Sequence, residues 1–107
     1  MPHGSGESLA IKLETPRQRP YLTLGRASDS DIVVDDATLS RVHLLLQPEP
    51  LGWSARDAGS TNGSSVEGAP LGPDAVALHN GVRILAGSAR FTYYDSGGLY
   101  LRLRGKG

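Results

Sequence analysis

Large apolar residues recur along this chain at every second position, and helical spacing does not recur. In the segment Leu9-Ala10-Ile11-Lys12-Leu13 the odd positions carry the large apolar side chains. Tyr21-Leu22-Thr23-Leu24 alternates until Gly25, and Asp31-Ile32-Val33-Val34 is a short apolar run behind an aspartate. Val42-His43-Leu44-Leu45-Leu46 precedes Pro48 and Pro50, which are expected to end it. Gly52-Trp53-Ser54-Ala55-Arg56 alternates again, with Trp53 assigned to the core. Ala75–Leu78, Val82–Leu85, Ala89–Tyr94 and Leu99–Arg104 complete the strand signals. Turn clusters separate them at Ala27–Ser30, Pro48–Gly52, Gly59–Ser65, Glu67–Pro73, His79–Gly81 and Ser96–Gly98. Asn62-Gly63 and Asn80-Gly81 are the strongest tight-turn signals. About nine or ten short strands at regular spacing predict an all-β sandwich or barrel.

Composition sharpens this picture. The chain has 107 residues, which suits one domain. Residues 1–8 read as a flexible Gly/Ser-rich tail, 9–104 as the domain and 105–107 as a short C-terminal tail. Glycine, at 14 residues, is about twice as frequent as the ~7% norm, as many turns require. Eleven basic and eleven acidic residues cancel. Binding to nucleic acid or to an anionic membrane would call for a basic excess, so neither is expected as a partner. An anion would have to be gripped locally by a few placed groups. With no cysteine, disulfides and thiolate metal sites are excluded, and a reducing cytoplasm is the natural compartment. No histidine pair has metal-ligand spacing and there is no phosphate-binding P-loop, so no metal or cofactor is expected.

The turns of a sandwich gather at its ends, which puts function in loops on a stiff scaffold. Three loop segments carry the chemistry: Gly25-Arg26, Ser40-Arg41-Val42-His43 and Asp57-Ala58-Gly59-Ser60-Thr61-Asn62-Gly63. Arg26 and Arg41 offer permanent cations with forked donors suited to phosphate oxygens. Ser40 and Thr61 add hydroxyl donors, and Asn62 has both an amide donor and an acceptor. A phosphorylated residue, with a charge of roughly −1.5 to −2 and three acceptor oxygens, matches such a set. Spacing alone does not show that the three segments converge. Each has a plainer reading beside it: Arg26 as a solvated arginine, Ser40 as a strand-entry cap, Thr61-Asn62-Gly63 as a turn. Arg41 is the contact with the weakest case, since it could point to solvent. Asp57 is expected to tie down its own loop. Asp29, Asp31, Asp35 and Asp36 would repel a phosphate if they pointed inward, so they are expected to face outward.

Taken together, Leu24-Gly25-Arg26, Asp31–Asp36, Ser40-Arg41-Val42-His43 and Gly59-Ser60-Thr61-Asn62-Gly63 resemble the forkhead-associated (FHA) family. The family pattern of Gly-Arg, Ser-x-x-His and Asn-Gly appears complete and in order. The resemblance implies a two-sheet β-sandwich of about ten or eleven short, mostly antiparallel strands with binding loops at one end. It implies a non-catalytic phosphothreonine-peptide reader in Ser/Thr kinase-linked signalling. Arg26, Ser40 and Thr61 would hold the phosphate, Arg41 would add a contact, and Asn62 would bond the peptide main chain. Gly25, His43 and Gly63 would support the site, with His43 bracing the loops from beneath. The third residue after the phosphothreonine would face Thr38 and Leu39, whose lack of charge argues against a demand for Asp or Glu there. The arginine-rich, lysine-poor composition fits a GC-rich bacterial genome. In that setting the phosphothreonine-bearing partner would be a Ser/Thr kinase or its substrate.

Two other functions compete. A hydrolytic triad of Ser40, His43 and Asp57 is disfavoured, because side chains three apart face opposite sides of an extended strand and there is no Gly-x-Ser-x-Gly elbow. A phosphate-independent interaction scaffold of the same fold is the stronger rival. It is disfavoured because both the arginine and the serine are present.

Overall fold

The computed structural model describes residues 8–14, 20–50, 52–95 and 98–102. Residues 1–7 of the expected 1–8 tail, the expected tail at 105–107 and the last two positions of the expected final strand lie outside them, whereas Ser8, expected in the tail, opens the first strand. Among the described residues there are eleven strands and no helix. They are β1 (Ser8–Lys12), β2 (Leu22–Gly25), β3 (Ile32–Val33), β4 (Leu44–Glu49), β5 (Gly52–Asp57), β6 (Ser64–Val66), β7 (Ala69–Pro70), β8 (Val76–Ala77), β9 (Arg83–Ala86), β10 (Ala89–Tyr94) and β11 (Gly98–Arg102). One sheet has the order β1-β11-β10-β9-β6-β7, the other β3-β2-β4-β5-β8. Every described pairing is antiparallel except β2 with β3, which is parallel.

The period-2 pattern decides which side chains enter the core. Along β10, Ala89, Phe91 and Tyr93 are buried while Arg90 and Tyr94 face water. In β9, Ile84 and Ala86 point inward and Arg83 and Leu85 outward. Leu44 and Leu46 do the same for β4 in the other sheet. Leu24, Leu44, Leu46, Tyr93 and Leu99 have no exposed surface at all, and Trp53 packs among them as expected. Because side chains alternate faces, slipping any of these strands by one residue would turn its apolar set to water.

The structure departs from the sequence expectations in three places. Pro48 lies within β4, opposite Trp53, rather than ending it. β2 pairs with β4 only as far as Leu46, so beyond that point β4 is an edge on that side and tolerates a residue without an N–H. Next, β6 and β7 occupy stretches read as turns; they are short, rich in serine and proline, and defined by their ladders rather than by apolar alternation. Finally, Asn80-Gly81 forms the expected tight turn, closed by the Val82 N–H donating to the His79 carbonyl at 2.9 Å, but neither Asn-Gly pair closes a hairpin. Asn62-Gly63 and Asn80-Gly81 each sit where the chain passes from one sheet to the other. Two-residue reversals fall instead at Gly87-Ser88, between the paired Ala86 and Ala89, and at Glu67-Gly68, between the paired Val66 and Ala69, the latter pair having φ of 49° and 83°. Positive φ at both positions is the type I′ signature, usually reserved for asparagine and glycine.

Phe91 sits in the middle of its sheet with 1% exposure. Replacing Phe91 with Ala is expected to cost about 3–5 kcal/mol. Urea unfolding measures this directly, and a loss below about 1 kcal/mol would mean that Phe91 is not a core residue.

Candidate functional site

β2 ends at Gly25, and the chain turns into the β2–β3 loop against the segment that leads into β4. The Arg26 N–H donates to the Ser40 carbonyl at 3.0 Å and the Ala27 N–H to the Arg41 carbonyl at 3.1 Å. The His43 N–H reaches back to the Leu24 carbonyl at 2.9 Å. This approach requires glycine at position 25, since a Cβ there would overlap the Arg41 carbonyl oxygen and sit 3.0 Å from that of Ser40. The Arg26 side chain then donates from Nε to the Leu39 carbonyl at 3.1 Å. Its guanidinium is thereby held one residue from Ser40, and its terminal nitrogens have no partner among the described residues.

His43 is fully buried. Its Nδ1 accepts the Ser40 N–H at 2.9 Å, and its Nε2 lies 3.0 Å from the Gly63 carbonyl oxygen. An amide N–H can only donate and a carbonyl can only accept, so the ring is the neutral tautomer with its proton on Nε2. The imidazole therefore ties the β3–β4 loop to the β5–β6 loop. Both nitrogens are engaged by backbone groups, which leaves neither for the Ser40 hydroxyl or for Asp57, and the Ser-His-Asp triad does not form. Gly63 has a φ of 83°, and its carbonyl also accepts the Gly87 N–H at 3.0 Å.

Asp57 organises the third loop. Its Oδ1 accepts the N–H groups of Gly59 and Ser60, both at 2.7 Å. Its Oδ2 accepts the hydroxyls of Ser60 at 2.7 Å and Ser64 at 2.6 Å. The Ser60 Oγ in turn accepts the Gly63 N–H at 3.0 Å. Burial pushes the Asp57 carboxyl up. The four hydrogen bonds to its charged form together outweigh burial and hold it below its ordinary value of 3.8. Two further bonds stitch this loop to its neighbour. The Thr61 N–H donates to Ser40 Oγ at 3.0 Å, and Asn62 Nδ2 donates to the Thr38 carbonyl at 2.7 Å. Arg26, Ser40, Thr61 and Asn62 thus belong to one bonded cluster at the sandwich end. Arg41 joins it through its carbonyl, which also accepts the Ser30 hydroxyl at 3.2 Å. Its guanidinium is exposed and makes no ion pair among the described residues.

Two expectations need correction. Asp36 does not face outward. Its Oδ1 accepts the Thr38 N–H at 2.8 Å and the Thr38 hydroxyl at 2.6 Å, and its Oδ2 lies 3.4 Å from the Ser88 hydroxyl. Asp29, Asp31 and Asp35 are exposed, as expected. Leu39, with 2% exposure, is a core residue and cannot meet a peptide side chain. Ser60, Ser64, Gly87 and Ser88 were not among the sequence candidates. The serines three and seven positions after Asp57 are a local signal that could have been read. Ser88 gives no such signal, because its partners Asp36 and Thr38 lie about fifty residues away.

Residues 22–87 match the family model described as the FHA domain. This chain belongs to the FHA domain family. The FHA domain is 40% identical over 72 residues to the ABC transporter ATP-binding/permease protein Rv1747 of Mycobacterium tuberculosis, a match covering 67% of this chain and 8% of that protein. It is 36% identical over 96 residues to the glycogen accumulation regulator GarA of Mycolicibacterium smegmatis, covering 83% of this chain and 60% of that one. This chain spans less than two thirds of the length of these curated relatives. Among solved structures, the FHA-2 domain of Mycobacterium tuberculosis Rv1747 superposes with a TM-score of 0.65 at 36% identity, over 86% of this chain and 82% of that one. Mycobacterium tuberculosis EmbR, solved in complex with a low affinity phosphopeptide, has the same TM-score at 31% identity, over 76% of this chain and 21% of EmbR. Among the described residues no helix is long and apolar enough to cross a membrane.

The Asp57 hub has a pH signature. A carboxyl held below its ordinary value stabilises the fold fully above that value and loses its contribution as pH falls through the folded one. Replacing Asp57 with Ala should destabilise the domain at pH 6, and the gap to the wild type should narrow from pH 4 downward. Urea midpoints across pH 6 to 3 measure it; a gap that stays constant or widens in acid would contradict this role.

Proposed function

We propose that this FHA domain is a non-catalytic module that captures phosphothreonine-containing segments of proteins. In this reading Arg26, Ser40 and Thr61 hold the phosphate, Arg41 adds a charged contact, and Asn62 bonds the peptide main chain. Gly25, His43 and Gly63 hold the loops in place. The observation that carries it is the division of donors within the cluster. Ser40 Oγ already accepts from the Thr61 N–H, so its own proton is left to donate outward. Arg26 is anchored through Nε alone, which leaves its terminal N–H groups for an anion. Pre-placed donors of this kind lose little freedom on binding.

Support also comes from EmbR, a relative solved with a phosphopeptide. The sequence pI of about 6.8 argues against a nucleic-acid partner. The mycobacterial relatives favour a bacterial signalling setting, with a Ser/Thr kinase or its substrate as the partner and the cytoplasm as the compartment. The occupied nitrogens of His43 speak against hydrolysis. A phosphate-independent scaffold would have no use for the free guanidinium and hydroxyl of Arg26 and Ser40.

Titration of a phosphothreonine peptide and its unphosphorylated twin tests the reading. The phosphorylated form alone should bind appreciably, and Arg26→Ala should lose about 2–5 kcal/mol of affinity while keeping the wild-type unfolding midpoint. Ser40→Ala should lose about 0.5–1.5 kcal/mol, the worth of one hydroxyl hydrogen bond. Equal affinity for both peptides would favour the scaffold. Full affinity in Arg26→Ala would move the site elsewhere.

A further inference from the structure

Thr38 lies at a crossing of bonds that neither the core nor the phosphate contacts require. Its N–H and hydroxyl are both held by Asp36 Oδ1, at 2.8 and 2.6 Å. Its Oγ1 also accepts the Ser88 N–H at 2.8 Å and lies 3.0 Å from the Ser88 hydroxyl. Ser88 belongs to the β9–β10 turn, in the sheet opposite the one that carries Thr38's own loop. That turn is pressed against Thr38: a Cβ on Gly87 would sit 2.6 Å from the Thr38 hydroxyl and 2.7 Å from its carbonyl oxygen. The carbonyl so held is the one that Asn62 Nδ2 donates to, at 2.7 Å.

We propose that Thr38, clamped by Ser88 and Asp36, is the positioning residue that sets the polarity of Asn62. This deepens the binding reading above and rests on it. A carbonyl only accepts, so it draws the NH₂ end of the Asn62 amide inward and turns Oδ1 outward. Oδ1 accepts no hydrogen bond among the described residues. The atom presented to a bound peptide is therefore an acceptor, and its partner must be a main-chain N–H. A peptide bond without that hydrogen, such as the one preceding proline, leaves Oδ1 unsatisfied at that position. The β9–β10 turn thus contributes to peptide selection without touching the peptide. It does so by fixing which end of one amide faces out.

The probe is the tightest phosphothreonine peptide recovered from a degenerate library, together with copies carrying a single N-methyl group at successive backbone positions around the phosphothreonine. Methylation at one position should weaken wild-type binding about tenfold, and Asn62→Ala should be insensitive to it. Thr38→Val, which keeps the shape and removes the hydroxyl, should weaken the unmethylated peptide about tenfold and shrink the methyl penalty. Thr38→Ser should behave as wild type in both respects. Ser88→Ala keeps the Ser88 N–H bond to Thr38 Oγ1 and removes only the hydroxyl contacts, so it should shift both readouts in the same direction as Thr38→Val but by less. Affinities are compared at a temperature where urea midpoints show every variant folded, so a purely structural effect, which would weaken all peptides alike, is separated from loss of the methyl discrimination.

Full affinity and an intact penalty in Thr38→Val overturn the proposal, as does a penalty that survives in Asn62→Ala. A wild type that binds, loses binding in Arg26→Ala and yet gives a flat methyl scan overturns this inference alone. A wild type that binds no phosphothreonine peptide overturns the binding reading and this inference together.

Discussion

The site depends on one buried ring. His43 sits where the β3–β4 loop would otherwise leave the Ser40 N–H unpaired and the β5–β6 loop would leave the Gly63 carbonyl with the Gly87 N–H alone. Its imidazole satisfies both, accepting from Ser40 and donating to Gly63. An unpaired buried polar group costs about 1–3 kcal/mol, so two loops from distant parts of the chain are held together by the cost of separating them. A neutral histidine suits this role because one nitrogen donates and the other accepts, at opposite edges of a rigid plane. No aliphatic residue could replace it, and a lysine or arginine could only donate.

Around that ring the backbone is brought unusually close. Gly25 lets β2 and the strand-entry segment pack closely, which makes Arg26 and Ser40 neighbours despite the thirteen residues between them. Asp57 does similar work for the third loop, gathering two N–H groups and two hydroxyls on one carboxylate. The loops are consequently not loose connections on the sandwich. They form one bonded block.

The second sheet also takes part. The Gly87-Ser88 turn bonds Gly63 through its N–H and Thr38 through its serine, so both loops rest on a hairpin from the opposite sheet. In an FHA domain read as a phosphopeptide binder, this makes the sandwich more than a carrier. A rigid pair of sheets fixes the height of the turn, and the turn fixes the loop above it.

Much of this was legible in the chain itself, and the reasons are local. Strand positions follow from side-chain alternation, which is why β9, β10 and the core placement of Trp53 could be read directly. Gly-Arg, Ser-x-x-His and Asn-Gly carry the FHA resemblance because each requirement is met by residues adjacent in sequence. Other features needed the tertiary structure. β6 and β7 have little apolar pattern of their own and exist because neighbouring strands offer ladder partners. Asn62-Gly63 read as a tight turn because its φ preference is local, whereas the sheet each flanking strand joins is not. Asp36 turned inward onto the Thr38 N–H and hydroxyl, beside Ser88 of the opposite sheet, and Leu39 joined the core cluster. Residue pattern determined which strands form and what chemistry the loops carry. Only the packing of two sheets decided which loops meet, since contacts across about fifty residues leave no trace in local periodicity.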